Sequence, residues 1–253
     1  MIRIAATGDV HFGEDSSGTL RPCLEQIDRD ADVLVLAGDL TKYGDPAQAE
    51  VLGRELMDLP VPVVAVLGNH DHHANRADEV RVVLEQAGVT VLEGEHVVLD
   101  VGGADVGIAG GKGFGGGFTG SSGAEFGEPQ MKAFIRHSMS QAESLERALA
   151  EIADVDLKLA LMHYSPVRDT LLGEPPEIFP FLGTFLLAEA VDRTGVDLAI
   201  HGHAHHGSEK GVTPGGVNVR NVAMPVLRRP YAVYAFERSR RREHPERVRA
   251  TVD

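Results

Sequence analysis

The sequence predicts an α/β protein whose first part is a mostly parallel sheet with helices outside it. Three observations carry this expectation. Five short apolar runs each pass into Gly-Asp, Gly-Asn or His, as buried strands do when they deliver polar side chains from their C-terminal tips. Through residue 87 these runs alternate with stretches of helical spacing, the pattern of a parallel sheet with crossover helices. After Gly88 the pattern changes to short runs joined by Gly- and acid-rich turns, so antiparallel pairing is expected there.

In order, Ile2-Arg3-Ile4-Ala5-Ala6-Thr7 is the first strand and runs into Gly8-Asp9-Val10-His11. Leu20, Cys23, Leu24 and Ile27 give 20–31 helical spacing, leading back to the strand Val33-Leu34-Val35-Leu36-Ala37 and Gly38-Asp39. A helix over 46–59 follows, with Asp45 as N-cap and Pro46 at its first position. The third strand, 61–67, ends in Gly68-Asn69-His70-Asp71. A helix over 74–87 is stopped by Gly88, whose freedom at positive φ suits a helix end. Short strands are expected over 89–92, 96–101 and 106–109. The Gly-rich stretch 110–120 lacks the Gly-Lys-Ser/Thr ending of a phosphate-binding loop, leaving a flexible connection or a loop bordering a site. A long helix over 129–153 precedes the strand 157–162, which runs into His163. The stretch 165–180 holds four prolines and reads as an irregular loop. A helix over 182–194 leads to the strand 196–200 and His201-Gly202-His203-Ala204-His205-His206. Closing strands are expected over 217–222 and Ala232–Phe236, with a basic, solvated tail over 238–253.

Composition narrows the function classes. Of 253 residues, 43% are hydrophobic and 25% charged, ordinary for a globular protein with a proper core. A net charge of −14 argues against a general nucleic-acid binder, because neutralising phosphates takes Lys and Arg. It leaves room for an enzyme whose local positive charge is metal. A single cysteine, Cys23, excludes an internal disulfide framework; it is expected to be buried on a helix. The N-terminus goes straight into a strand-like pattern and no stretch approaches the ~18 apolar residues of a membrane span, so a cytoplasmic protein is expected.

Asp9, His11, Asp39, Asn69, His163, His203 and His205 offer hard oxygen and borderline nitrogen donors. That mixture suits manganese, zinc, iron or cobalt better than calcium, and seven donors suit two ions better than one. Two divalent ions, less the charges of Asp9, Asp39 and a bridging hydroxide, leave about plus one, a site that attracts an anion.

Gly-Asp-x-His, Gly-Asp, Gly-Asn-His-Asp, a lone His and Gly-His-x-His, in this order over residues 8–205, resemble the calcineurin-like metallophosphoesterase superfamily. The resemblance implies a four-layer αββα sandwich of two mixed β-sheets flanked by helices, occupying 1–237 as one domain. It implies that Asp9, His11 and His205 hold one metal, Asn69, His163 and His203 the other, with Asp39 and a hydroxide bridging them. It also implies that His70 stabilises the transition state or protonates the leaving oxygen, with Asp71 orienting it. The cofactors would be two divalent or trivalent transition-metal ions (Mn, Fe or Zn).

The implied reaction is hydrolysis of a phosphate ester by in-line attack of the bridging hydroxide. A small-molecule phosphodiester such as a cyclic nucleotide is the preferred substrate, because the compact form resembles the small bacterial class III cyclic-nucleotide phosphodiesterases. A phosphomonoesterase or protein phosphatase is the alternative, a nuclease is less favoured, and a binding scaffold would be expected to have lost ligands. The reading leaves a homodimer open. Of the other histidines, His72 and His73 are expected to serve local structure or substrate contacts, and His201 to pack or hydrogen-bond. His206 is expected to be exposed, and His96, His137 and His244 to be ordinary surface or turn residues.

Overall fold

The computed structural model describes residues 1–237; the basic tail expected over 238–253 lies outside them. The chain opens with β1 (Ile2–Thr7), α1 (Ile27–Asp30), β2 (Val33–Ala37), α2 (Pro46–Leu56), β3 (Val63–Val66), α3 (Ala77–Gln86) and β4 (Val89–Val91). It continues with β5 (Glu95–Asp100), β6 (Asp105–Gly111), β7 (Gly117–Phe118), β8 (Ser121–Ser122), α4 (Pro129–Glu151) and β9 (Leu157–Met162). It closes with α5 (Phe179–Leu182), α6 (Phe185–Thr194), β10 (Leu198–His201), β11 (Lys210–Val212), β12 (Asn218–Asn221), α7 (Met224–Leu227) and β13 (Ala232–Phe236).

One sheet has the order β13-β1-β2-β3-β4 and the other β11-β12-β10-β9-β6-β5. Strand alternation explains how they stack. Ile2, Ile4, Ala6, Val33, Val35, Val64 and Val66 point inward and meet Val106, Ile108, Leu159, Leu161 and Ile200 of the other sheet. Their alternates Ala5, Leu34, Leu36 and Ala65 pack outward on Leu52, Leu56, Val80 and Leu84 of α2 and α3. On the far side Ala109, Ala160, Met162 and Ala199 pack on Leu145, Leu149, Leu187 and Val191 of α4 and α6. Helix, sheet, sheet and helix make the expected four-layer αββα sandwich of two mixed sheets, and burial on both faces is why the strands read as nearly unbroken apolar runs.

Several element-level expectations need correction. The antiparallel pairing expected after Gly88 holds between β5 and β6, but β4 pairs parallel with β3, and β6, β9, β10 and β12 run parallel to one another. Among the described residues, antiparallel pairing is confined to β5, β11 and β13 at sheet edges and to the β7–β8 pair. The 20–31 helix is broken into a 3₁₀ turn at Arg21–Leu24 and the single turn of α1. The Glu55 carboxylate takes the N–H groups of Gly18, Leu20 and Arg21 at 2.7, 3.1 and 2.7 Å, and Pro22 has none to give. Cys23 is exposed on that turn rather than buried. The 182–194 helix begins only at Phe185, where the Thr184 side chain accepts from Leu186 N.

The Gly-rich stretch begins inside β6 and is packed. Gly116 N and Gly117 N donate to the carbonyls of Pro180 and Gly183 at 2.7 and 2.9 Å, and a Cβ at Gly117 would stand 2.3 Å from the Ser121 carbonyl. The Lys112 carbonyl takes the N–H groups of both His163 and Tyr164, at 3.0 and 3.1 Å, so the stretch borders the site described next.

Candidate metal centre

Asp9, Asp39 and Asn69 follow the C-terminal ends of β1, β2 and β3; His163 and His203 follow those of β9 and β10. Parallel neighbours present their tips at one end of a sheet, so both sheets bring their polar residues together. The backbone there is unusual. Asp9, His11, Asp39 and His203 have φ of 56°, 44°, 50° and 71°, the left-handed region that side chains seldom adopt. Main-chain bonds hold it: Asp9 N donates to the Gly38 carbonyl at 2.9 Å and His11 N to the Asp39 carbonyl at 3.0 Å.

The motif glycines make room. A Cβ on Gly68 would stand 2.1 Å from Asp39 Oδ1, and one on Gly202 would stand 2.3 Å from Asp9 Oδ2. Each glycine thus accommodates the carboxylate of a different motif, something strand endings alone did not indicate.

Two groups of donors result. Asp9, His11, Asp39 and His205 have side-chain N or O atoms all within 4.8 Å of one another, as do Asp39, His163 and His203. Asp39 belongs to both. Its Oδ1 is 3.2 Å from His163 Nε2, and its Oδ2 is 3.8 Å from His11 Nε2. Asn69 Oδ1 lies 2.9 Å from His163 Nε2 and adds a neutral oxygen to the second group. All seven expected ligands are therefore brought together.

The hydrogen bonds around His163 call for a cation. His163 Nδ1 is 2.8 Å from the Ala37 carbonyl, which only accepts, so Nδ1 carries the proton and donates. His163 Nε2 then turns a lone pair toward Asn69 Oδ1 and Asp39 Oδ1. Three acceptors converging on one space need a cation among them. Burial opposes charge on His163, but Asp39 overrides it and the imidazole is pushed up to about 9: without a metal, a proton fills the same need. Burial also works to raise Asp39, yet His163 and its other partners hold it well below the usual carboxylate range. His203 Nε2 donates to the Phe181 carbonyl at 3.3 Å, leaving Nδ1 for coordination. Burial brings His203 down to about 3, keeping it neutral as a ligand must be. The residues fit transition-metal ions.

His70 sits at the open side, its Nε2 3.9 Å from Asp39 Oδ2 and its ring 4.5 Å from that of His11. The expected orienting role of Asp71 is corrected by the geometry. His70 Nδ1 donates to the Lys42 carbonyl at 2.8 Å. Asp71 is fully buried and accepts from Leu40 N, Thr41 N, Thr41 Oγ1 and Gly68 N at 3.1, 2.7, 2.6 and 2.8 Å. It ties the Asp39 loop to the Asn69 loop and leaves the imidazole alone.

Among the remaining histidines, His201 is buried and bonded to the Gly202 carbonyl and Thr170 Oγ1, as expected. His206 is exposed, and His96 meets Glu151 at 3.1 Å on the surface. His137 is exposed on α4, as expected of a surface residue, with its ring edge-on to Phe114 at 4.6 Å, while His244 lies outside the described residues. His72 is half-buried with an unpartnered Nε2, and burial brings it down to about 4. Lys42, Lys112 and Phe181 escaped the sequence reading because they reach the site through main-chain carbonyls, which carry no residue signature.

The chain is also similar to known proteins. The family model described as calcineurin-like phosphoesterase matches residues 2–207. A curated relative, a probable cyclic nucleotide phosphodiesterase of Synechococcus sp., is 34% identical over 80 residues, 28% of this chain and 31% of its own length. The match thus spans under a third of that relative. Among solved structures, the phosphopantetheinyl hydrolase of Mycobacterium tuberculosis superposes with a TM-score of 0.61 at 16% identity, covering 87% of this chain and 88% of its own. The Thermus thermophilus protein TT1561 gives 0.54 at 19% identity over the same shares. At such identities these likenesses speak for the fold alone.

Proposed function

The chain belongs to the calcineurin-like phosphoesterase family, and from that premise we propose that it is a two-metal hydrolase of a small-molecule phosphodiester such as a cyclic nucleotide. The observation that carries the reading is Asp39, whose two oxygens face two separate donor groups. In this reading Asp9, His11 and His205 would hold one ion, Asn69, His163 and His203 would hold the other, and Asp39 would serve both. Manganese, iron and zinc all suit these donors. When bound, two such ions activate a water and neutralise charge developing on the phosphoryl oxygens.

The chain's own residues supply the rest. Asp9 accepts His203 N with both oxygens at 3.0 Å, and Asp9 Oδ1 lies 2.8 Å from His205 Nε2, locking the two sheets' loops at one separation. His70, with Nδ1–H fixed on the Lys42 carbonyl, presents Nε2 to the open side, where it holds or delivers a proton to the leaving oxygen. The partial match to a cyclic nucleotide phosphodiesterase favours diesters over monoesters.

The test is a paired assay on manganese-reconstituted protein, comparing bis(p-nitrophenyl) phosphate with p-nitrophenyl phosphate before and after chelation. Metal-dependent cleavage favouring the diester is expected, with 2′,3′- and 3′,5′-cyclic nucleotides as the next substrates. Preference for the monoester would replace this reading with a phosphomonoesterase; no cleavage of either by metal-loaded protein would point to a scaffold.

A further inference from the structure

Three aromatic side chains are exposed among the described residues: Tyr43 at 51%, Phe126 at 83% and Phe181 at 62%. Isolated exposed apolar groups are ordinary and need no explanation. Two of these three, however, are joined to the metal centre through the main chain. The Lys42 carbonyl, one residue from Tyr43, accepts from His70 Nδ1, and the carbonyl of Phe181 itself accepts from His203 Nε2. The segment that carries one ring therefore neighbours the donor group of His11, and the segment that carries the other neighbours that of His163.

Both rings stand on fixed backbone. Tyr43 N donates to Gln48 Oε1 at 2.8 Å, and Gly44 N donates to Thr41 Oγ1, which itself donates to Asp71. A Cβ on Gly44 would stand 2.6 Å from the Asp71 carbonyl, so the turn lies directly on the Asn69–Asp71 loop. Around Phe181, the Pro180 carbonyl accepts from Gly116 N at 2.7 Å and the Leu182 carbonyl from Ser165 N at 3.0 Å. Exposed rings on mobile loops can be incidental. Exposed rings on rigid backbone beside a site are preorganised contact surfaces, with little ordering left to do on binding. The Lys42 ammonium, 5.5 Å from the Tyr43 ring centroid, adds a cation to the same rim.

We propose that Tyr43 and Phe181 are specificity-determining residues that receive planar aromatic arms of the substrate phosphoester, Tyr43 beside His70 and Phe181 beside His203. A nucleobase is the natural arm of this kind, since every base presents a π face to stack on. The proposal rests on the phosphate-ester reading and deepens it by naming the two surfaces that choose the organic group.

The test measures binding of two non-hydrolysable probes, phenylphosphonate and ethylphosphonate, to metal-loaded protein by calorimetry. The wild-type protein is expected to bind phenylphosphonate about tenfold more tightly, the scale of one stacked ring. Phe181→Ala or Tyr43→Ala should bring that ratio down to about twofold to threefold, and Phe181→Trp should restore it. The ratio separates stacking from a structural role, which would weaken both probes alike. Equal affinity of the wild-type protein for both probes, or a ratio untouched in both alanine variants, overturns the proposal while leaving the phosphate-ester reading standing. Binding of neither probe overturns that reading, and the proposal falls with it.

Discussion

His70 is oriented by the main-chain carbonyl of Lys42, 2.8 Å from its Nδ1, and not by the neighbouring Asp71. A carbonyl can only accept, so it fixes the Nδ1–H tautomer and aims Nε2 at the open side. His70→Ala should keep both metals and lower turnover by about 10²–10³-fold on a substrate with an alkyl leaving group. The loss should be smaller with p-nitrophenoxide, which leaves without a proton. Equal losses on the two substrates, read alongside metal content, would contradict the assignment to the leaving oxygen.

Asp71 makes a different prediction. Its carboxylate satisfies four donors in a fully buried place, so Asp71→Ala should destabilise the fold by about 3 kcal/mol or more. For a chain of this length that lowers the melting temperature by about 6–12 °C. Thr41→Val removes one of the four donors and should do far less. An Asp71→Ala protein as stable as wild type would show that the carboxylate serves something other than this bracket.

Glu93 gives a pH dependence that can be signed. Burial is the main cause that raises its carboxyl from 4.5 to about 7, while its Oε1 accepts from Leu67 N at 3.2 Å. A folded-state value above the unfolded one means the folded protein binds more protons. The contribution is therefore favourable below about 4.5 and is lost as pH rises through about 7, amounting to about 3 kcal/mol. Glu93→Gln keeps an acceptor for Leu67 N and removes the titration, so melting temperatures between pH 5 and 8 should vary less than in the wild type. An unchanged pH profile in that variant would remove Glu93 as its source.

Much of this molecule was legible from the order of its residues. The strand endings at Asp9, Asp39, Asn69, His163 and His203 were readable because a short Val-rich run closed by a polar residue has few other uses in an α/β sheet. The direction of β6 and β9 was not, because a strand buried on both faces looks alike in parallel and antiparallel pairing. The break in the 20–31 helix depends on Glu55, more than thirty residues away, which local spacing cannot register. The Lys42 carbonyl takes the orienting role expected of Asp71, because adjacency in sequence is a poor guide to which acceptor an imidazole reaches.

The central claim is that Asp39 joins two donor groups into one two-metal site, and metal content tests it most directly. Reconstituted wild-type protein should carry about two ions per chain, removable by chelation with loss of hydrolysis. Asp39→Ala should lose both ions and the activity together while remaining folded by circular dichroism. One ion per chain in the wild type, or two retained in folded Asp39→Ala, would contradict the account.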